Sequence, residues 1–323
     1  MKRKMLNVPK GGYDGMKGFT IVEFLVAGLL SVIVLIAVVS SYFTSRKLND
    51  AANERLAIQQ DLRNAATLIV RDARMAGSFG CFNMSEHTKD DIVDSSSQTQ
   101  SNPAKPGAKQ ENPLFSLKRS GMDKQLIPVA ESTDIKYPGF IQRLNALVFQ
   151  YGIDDLDASA ETVVVSSCSK IAKPGKQIPT LEDAKKELKI ENSDKEQNRN
   201  IARQRHVVNA YAVGKIAGEE GLFRFQLDDK GKWGNPQLLA KKVRRMDMRY
   251  IYVSGCPEDE DAGKEEQFKY TDKFDSSVMP AGVEVLLDSG NDTKIAASSD
   301  NIIYAYRINA TIRGGNVCAN RTL

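Results

Sequence analysis

The sequence has few of the residues that enzymes most often use at their catalytic centres. Of its 323 residues only two are histidines, His87 and His206, and one is a tryptophan. His87 falls in a polar loop and His206 at a predicted strand edge, and we expect neither to have a partner. No phosphate-binding glycine-rich loop and no nucleophile motif is present. We therefore expect no enzyme, no cofactor and no small-molecule substrate.

Net charge is missing from all but the start of the chain. The sequence holds 45 Lys and Arg against 41 Asp and Glu. Residues 1–18 contain five of those bases and one of those acids, which leaves 40 of each in the remainder. A neutral body lacks the broad basic field of a dedicated nucleic-acid-binding protein.

Proline is absent from residues 19–76, and the first part of this stretch is apolar. The run from Phe19 to Val39 has the roughly 20 residues that a helix needs to cross a bilayer. No small-residue cleavage site follows it, which favours a retained span over a secretory signal peptide. The preceding basic residues predict a cytoplasmic N-terminus. We expect a single-pass membrane protein with its span at residues 19–42 and its head in the periplasm or outside the cell.

An amphipathic helical pattern continues over residues 43–78. Gly77 and Gly80 are expected to end it, and the long helix would dock its outer half on a head domain. A receptor stalk is the alternative. The apolar residues that recur at three- and four-residue steps are Leu48, Ala52, Leu56, Leu62, Ala66, Ile69, Ala73 and Ala76.

Glu23 is the one acid inside the apolar run. A carboxylate in a membrane helix costs about 2.5 kcal/mol or more on insertion scales and usually marks a pairing site. The alternative is an acid close enough to the interface to stay hydrated. The boundary reads KGFTIVE over residues 17–23, and this string resembles the leader boundary of type IV prepilins and type II secretion pseudopilins.

The resemblance implies how the N-terminus is processed. Residues 1–18 would be a leader that prepilin peptidase removes after Gly18, and Phe19 would be N-methylated. Glu23 would then pair with the amino group of Phe19 in a neighbouring subunit, where low dielectric strengthens the attraction of opposite charges. The acid is tolerated, on this hypothesis, because assembly neutralises it.

A second string, RDARMAGSFGCF at residues 71–82, resembles the PilW family of type IV pilus minor pilins, called PilJ in some systems. Later stretches, among them LNALVFQYG (144–152) and TVVVSSC (162–168), follow that family's order of strand segments. Val32 and Ser40 stand where major pilins usually carry a glycine and a proline, which favours a minor role. The implied fold is α+β and type IV pilin-like, with the helix packed on an antiparallel β-sheet head that has long polar inserts.

The head, residues 79–323, is predicted to be mostly β-structure around one core. Polar inserts at 95–113 and 173–200 have too little apolar surface to order themselves, apart from a short helix from Leu181 to Leu188. The predicted strands lie near residues 145–151, 161–167, 206–213, 222–227, 243–253, 283–288 and 302–312.

The four cysteines form no Cys-x-x-Cys pair, which disfavours a zinc site. They are Cys81, Cys168, Cys256 and Cys318. An even count in an exported chain favours two disulfides, and one disulfide with two free thiols is the alternative. Four cysteines allow three pairings, among which the sequence does not choose.

Two charged segments suggest ligands, but a solvated surface is the favoured interpretation of both. The acidic loop at 256–266 could bind calcium, yet it lacks the ligand spacing and central glycine of an EF-hand. A basic cluster could contact DNA, yet its residues alternate along a predicted strand. The members of that cluster are Lys241, Lys242, Arg244, Arg245 and Arg249.

The resemblance implies a structural assembly subunit. Such a minor pilin would join other minor pilins in an inner-membrane priming complex, contact the major pilin, and end at or near the tip of the cell-surface pilus. The alternatives are a tip adhesin or DNA receptor, and a type II secretion minor pseudopilin.

Overall fold

The computed structural model describes residues 18–93, 126–155, 157–158, 162–172, 178, 180–191, 200–254, 267–276, 278–288 and 306–312. The rest of the predicted leader, the first polar insert, half of the second, the acidic loop, Cys256 and Cys318 lie outside these residues. Two compact units make up the chain, residues 1–57 and residues 58–323.

One long helix precedes a series of strands that a second, short helix interrupts. The helices are α1 (Ile21–Met75) and α2 (Leu181–Leu188). The strands are β1 (Ser78–Phe79), β2 (Phe82–Asn83), β3 (Ile92–Val93), β4 (Val129–Ser132), β5 (Phe140–Gln142), β6 (Ala146–Ile153), β7 (Val163–Ser166), β8 (Ile171–Ala172), β9 (Ala202–Ile216), β10 (Glu219–Leu227), β11 (Trp233–Lys241), β12 (Arg245–Ser254), β13 (Gln267–Thr271), β14 (Gly282–Asp288) and β15 (Tyr306–Thr311).

In the first unit, α1 begins after Thr20 and is exposed along its whole course. Every described residue from 18 to 57 is exposed, including Phe19 at 84% and Phe24 at 75%. The most apolar window of the helix has a mean hydropathy of 2.9 and no buried residue. α1 is therefore long and apolar enough to cross a membrane.

In the second unit, one side of α1 is buried against the head. The buried apolar residues are Ile58, Leu62, Ala65, Ile69 and Ala73, at three- and four-residue steps. The predicted series of apolar helix residues is buried or half-buried from Leu62 onward, as expected. Leu48 and Leu56, however, are 66% and 62% exposed. The periodicity extends beyond the residues that pack, because helical spacing by itself does not reveal where a partner surface begins.

The C-terminal end of α1 follows the prediction. The helix ends at Met75, and Gly77 and Gly80 take positive φ angles of 81° and 67°. A Cβ at Gly77 would also lie 3.0 Å from the ring of Pro128. Glycine is needed there for both its backbone conformation and its lack of a side chain.

Nine strands form the larger sheet, in the order β11-β10-β9-β7-β8-β3, with β4, β5 and β6 joined beside this path. The long strand β9 is its centre and pairs antiparallel with β5, β6, β7 and β10. Only the short β3 and β8 pair in parallel among the described strands.

A second sheet of four strands, in the order β13-β12-β14-β15, was not expected from the sequence. Its three strand pairs are antiparallel. One apolar core nevertheless serves both sheets and the helix, since Tyr211 of β9, Tyr250 of β12 and Ile69 belong to the same cluster. The Tyr250 hydroxyl also donates a 2.7 Å hydrogen bond to Glu131 of β4 across the two sheets.

The strand predictions are confirmed with shifted ends, and α2 is confirmed with its predicted bounds. The unpredicted strands are β4, β5, β11 and β13 and the two-residue strands. β11 was hidden by Gly234 and Pro236, which usually interrupt strands. β11 is the edge strand of its sheet. A proline there lacks an N–H group, but no further strand needs that group for a hydrogen bond.

Candidate functional site

The boundary between leader and helix is open to solvent. A Cβ placed at Gly18 would meet no atom within 4 Å, and Phe19 is exposed. Among the described residues, nothing therefore packs beside Gly18, the predicted cleavage position.

Glu23 has a partner that sequence reasoning missed, Thr20 of its own chain. The Thr20 backbone N–H and hydroxyl donate to Glu23 Oε2 at 3.0 and 2.9 Å. The Glu23 N–H donates in return to Thr20 Oγ1 at 3.3 Å. This reciprocal arrangement is a capping box, whose signal was the Thr-x-x-Glu spacing within KGFTIVE. Both bonds to the carboxylate use Oε2, so Oε1 has no partner among the described residues.

Asp72 is the second acid of interest in α1, and its side chain is fully buried. Its carboxylate accepts hydrogen bonds from five side chains, which come from the helix itself and from β6, β9 and β10: Arg71 (3.0 Å), Tyr151 (3.0 Å), Asn209 (2.9 Å), Tyr211 (2.6 Å) and Arg224 (3.3 Å). We call these six residues the Asp72 cluster. They satisfy both carboxylate oxygens without any atom from another molecule.

Strand register explains why these donors meet. Asn209 and Tyr211 are two residues apart on β9 and therefore share a sheet face. Arg224 of β10 lies directly opposite Tyr211, and Tyr151 of β6 lies two residues beyond Phe149, which is opposite Asn209. All four side chains thus face the side of the sheet on which α1 packs.

The electrostatics of the cluster keep its two tyrosines neutral. Burial, followed by the charge of Asp72, raises the pKa of Tyr151 to about 12 and raises the pKa of Tyr211 further. Both hydroxyls therefore stay protonated and can donate at neutral pH. Arg224, which is largely buried, and Arg71 balance the carboxylate charge. A carboxylate so fully bonded and buried is suited to holding α1 on the sheet and not to proton transfer.

A disulfide joins Cys81 to Cys168 and ties the segment after α1 to the turn after β7. The Ser166 hydroxyl donates to the Phe79 carbonyl at 2.7 Å beside it. The structure thus selects this pair among the pairings that the sequence left open, while Cys256 and Cys318 lie outside the described residues.

Both histidines have partners, contrary to the sequence prediction. His206 lies within the central strand β9 and not at a strand edge, is 2% exposed, and places Nε2 3.1 Å from Gln150 Oε1. Burial lowers its pKa to about 3, so it is neutral at physiological pH. His87 stacks on Phe82 and places Nδ1 3.3 Å from Asp91. Sequence proximity could not reveal the partner of His206, because β6 supplies it.

The basic cluster is largely engaged in ion pairs. Lys241 lies 3.6 Å from Glu219, Arg245 lies 2.7 Å from Asp247, and Arg249 lies 3.6 Å from Glu284. Cations that already pair with acids of this chain attract phosphate less strongly. Within the described part of the chain, no group of three or more His, Cys, Asp or Glu residues could hold a metal ion.

No protein-family model, no curated protein and no solved structure matches this chain. Any assignment of function therefore rests on the residues described in this section.

Proposed function

We propose that this chain is a minor pilin, a structural subunit that primes type IV pilus assembly with other minor pilins and stays at or near the pilus tip. One observation carries the proposal. The KGFTIVE boundary precedes an exposed apolar helix in whose first turn Thr20 holds Glu23 and leaves Oε1 open.

The open oxygen suits an intermolecular pair. Removal of residues 1–18 would create a cationic amine on Phe19. The Glu23 carboxylate, already fixed by Thr20, would accept that amine from a neighbouring subunit at Oε1. A held carboxylate loses less conformational freedom on pairing than a mobile one. The low dielectric of a membrane or filament core strengthens the attraction.

The second unit supports the same role. A subunit whose helix is held in a filament must keep its head on that helix under load. The Asp72 cluster and the Cys81–Cys168 disulfide hold the head next to the last turns of α1 by side-chain and covalent bonds. A disulfide also fits an oxidising compartment such as the periplasm. The proposed partners are prepilin peptidase, other minor pilins, the major pilin and the inner membrane.

The decisive experiment is mass spectrometry of the N-terminal peptide from membrane-extracted protein. We expect a chain that starts at N-methylated Phe19. A Gly18→Leu variant, which blocks access at the cleavage position, is the matched control and should keep its leader. An intact leader on the unmodified chain would overturn the proposal.

Deletion of the protein separates this function from the alternatives. Loss of surface fibres that return when retraction is blocked supports an initiation role. Normal fibre number with lost adhesion or DNA uptake supports a tip receptor, and lost enzyme secretion with normal pili supports a pseudopilin.

A further inference from the structure

The solvent side of α1 in the second unit carries arginines and no acid. Its exposed residues between 59 and 74 are Gln59, Gln60, Arg63, Asn64, Thr67, Arg71 and Arg74. Arg63, Thr67 and Arg74 follow one another at four- and seven-residue steps and therefore share one helix face. Arg71 already contacts Asp72, whereas Arg63 and Arg74 have no acidic partner within the described ranges.

An open groove of about 700 Å³ accompanies this face. Apolar and charged residues both line it, among them Arg63, Ala66, Val70, Arg74 and Tyr306. Ala66 and Val70 are half-buried and pack against the main core. We call this surface the arginine groove.

We propose that the arginine groove binds an acidic amphipathic helix of a neighbouring pilin-like subunit. The inference rests on the proposed function, which places the helix of another subunit next to this chain, and Arg63 and Arg74 are the reason for expecting that helix to be acidic. Apolar residues of the partner would contact Ala66 and Val70, and its carboxylates would reach Arg63 and Arg74. Recognition of one face of a helix by a groove uses this combination of an apolar floor and charged edges.

Charge and shape together favour a protein helix over the other anions that arginines attract. Nucleic-acid phosphates or lipid headgroups would neutralise Arg63 and Arg74 but would leave the apolar floor against water. Exposed ion pairs add little affinity individually, whereas they select the partner and set its orientation. The arginines thus act mainly on specificity, and the apolar floor supplies contact area.

The test places a photo-crosslinking amino acid at Thr67 of the full-length chain in cells that assemble pili. Thr67 is exposed and lies between Arg63 and Arg74 on the same face. Mass spectrometry of the crosslinked peptides should map one main contact to a different pilin-like chain. The contacted residue should lie in the helix that follows that chain's apolar N-terminal span, next to acidic residues.

Charge reversal then tests the role of the arginines. Arg63→Glu with Arg74→Glu should lower the crosslink yield roughly tenfold, since two attractive pairs become repulsive. Changing the mapped partner acids to arginine should restore it. The matched control is Lys215→Glu with Lys269→Glu, which makes the same change in net charge at exposed residues of β9 and β13 and should leave the yield unchanged. Equal thermal unfolding midpoints of both double variants would confirm that the head is folded.

A crosslink to a second copy of this chain, to lipid or to nucleic acid, or no crosslink at all, would overturn the proposal, as would a yield that charge reversal does not alter. N-terminal mass spectrometry of the same preparation separates the two hypotheses. A methylated Phe19 without the crosslink overturns the arginine groove alone, whereas an unprocessed chain overturns the proposed function.

Discussion

Glu23 and Asp72 are acids of the same helix, and they lie in different units of the chain. Glu23 is exposed, and one of its oxygens accepts two hydrogen bonds from Thr20, three residues away. Asp72 is buried, and residues as distant as Arg224 complete its hydrogen bonding. Among the described residues, the first carboxylate keeps one oxygen without a partner, whereas both oxygens of the second accept hydrogen bonds.

The difference indicates in which part of α1 the side chains find their packing and charge partners within the same chain. The helix in the second unit has its apolar side buried and its one buried charge balanced by the head. The helix in the first unit exposes apolar side chains, which water solvates poorly, and it is long and apolar enough to cross a membrane. Variants of the two acids should therefore affect different properties.

The largest expected effect is that of Asp72→Ala on the stability of the head. Removing the acid leaves Arg224 buried without its counter-charge and takes away the acceptor of the Tyr151 and Tyr211 hydroxyls. We expect a loss of about 3 to 5 kcal/mol in the free energy of unfolding. Fluorescence of Trp233, the single and largely buried tryptophan, can follow unfolding of the detergent-solubilised chain. Asp61→Ala, at a half-exposed position of the same helix, is the control, and equal stability of the two variants would refute the assigned role of Asp72.

Loss of the Cys81–Cys168 disulfide should have the next largest effect. The bond closes a loop between residues 87 positions apart, and we expect its removal to cost about 2 to 4 kcal/mol. Paired Cys81→Ser and Cys168→Ser substitutions, measured by the same unfolding assay, check this. The double variant should be as stable as the unmodified chain after its disulfide has been reduced. An unchanged unfolding midpoint in the double variant would show that the disulfide next to α1 is not needed for the stability of the head.

His206 makes the buried region sensitive to acid. Its pKa is lowered from 6.5 to about 3 by burial, so below pH 6.5 the unfolded chain binds a proton that the folded chain does not. Stability is therefore full above pH 6.5 and falls as the pH drops towards 3. Between pH 7 and pH 5 the loss should be about 2 kcal/mol. Denaturant titrations at both pH values should show a smaller difference in His206→Gln, and an equal difference would contradict the assignment to His206.

The smallest expected change in head stability is that of Glu23→Ala, below about 0.5 kcal/mol because the residue touches nothing in the head. Its incorporation into pili, measured by immunoblotting of sheared fibres, should nevertheless be lost. Glu23→Gln is the informative control, since the amide keeps the hydrogen bonds from Thr20 but not the charge. Normal incorporation of the amide variant would show that the cap suffices and that no ionic pair forms.

Much of the backbone could be predicted from local patterns. Helix α1, its end at Gly77, helix α2 and most of the longer strands follow from periodicity, from caps and from glycine, which are properties of neighbouring residues. The second sheet and β11 were missed because sheet membership and edge position depend on distant segments. The Asp72 cluster was missed for a related reason, as the acid looked like any polar residue near a helix end.

The sequence by itself determined that an apolar helix with one acid near its start follows a basic N-terminal stretch, because composition and spacing are enough for both features. Only the tertiary structure decided that Asp72 is buried, that Cys81 pairs with Cys168, and that His206 is neutral. Those outcomes depend on strand register and burial, which bring together residues that are far apart in the chain and remove them from water.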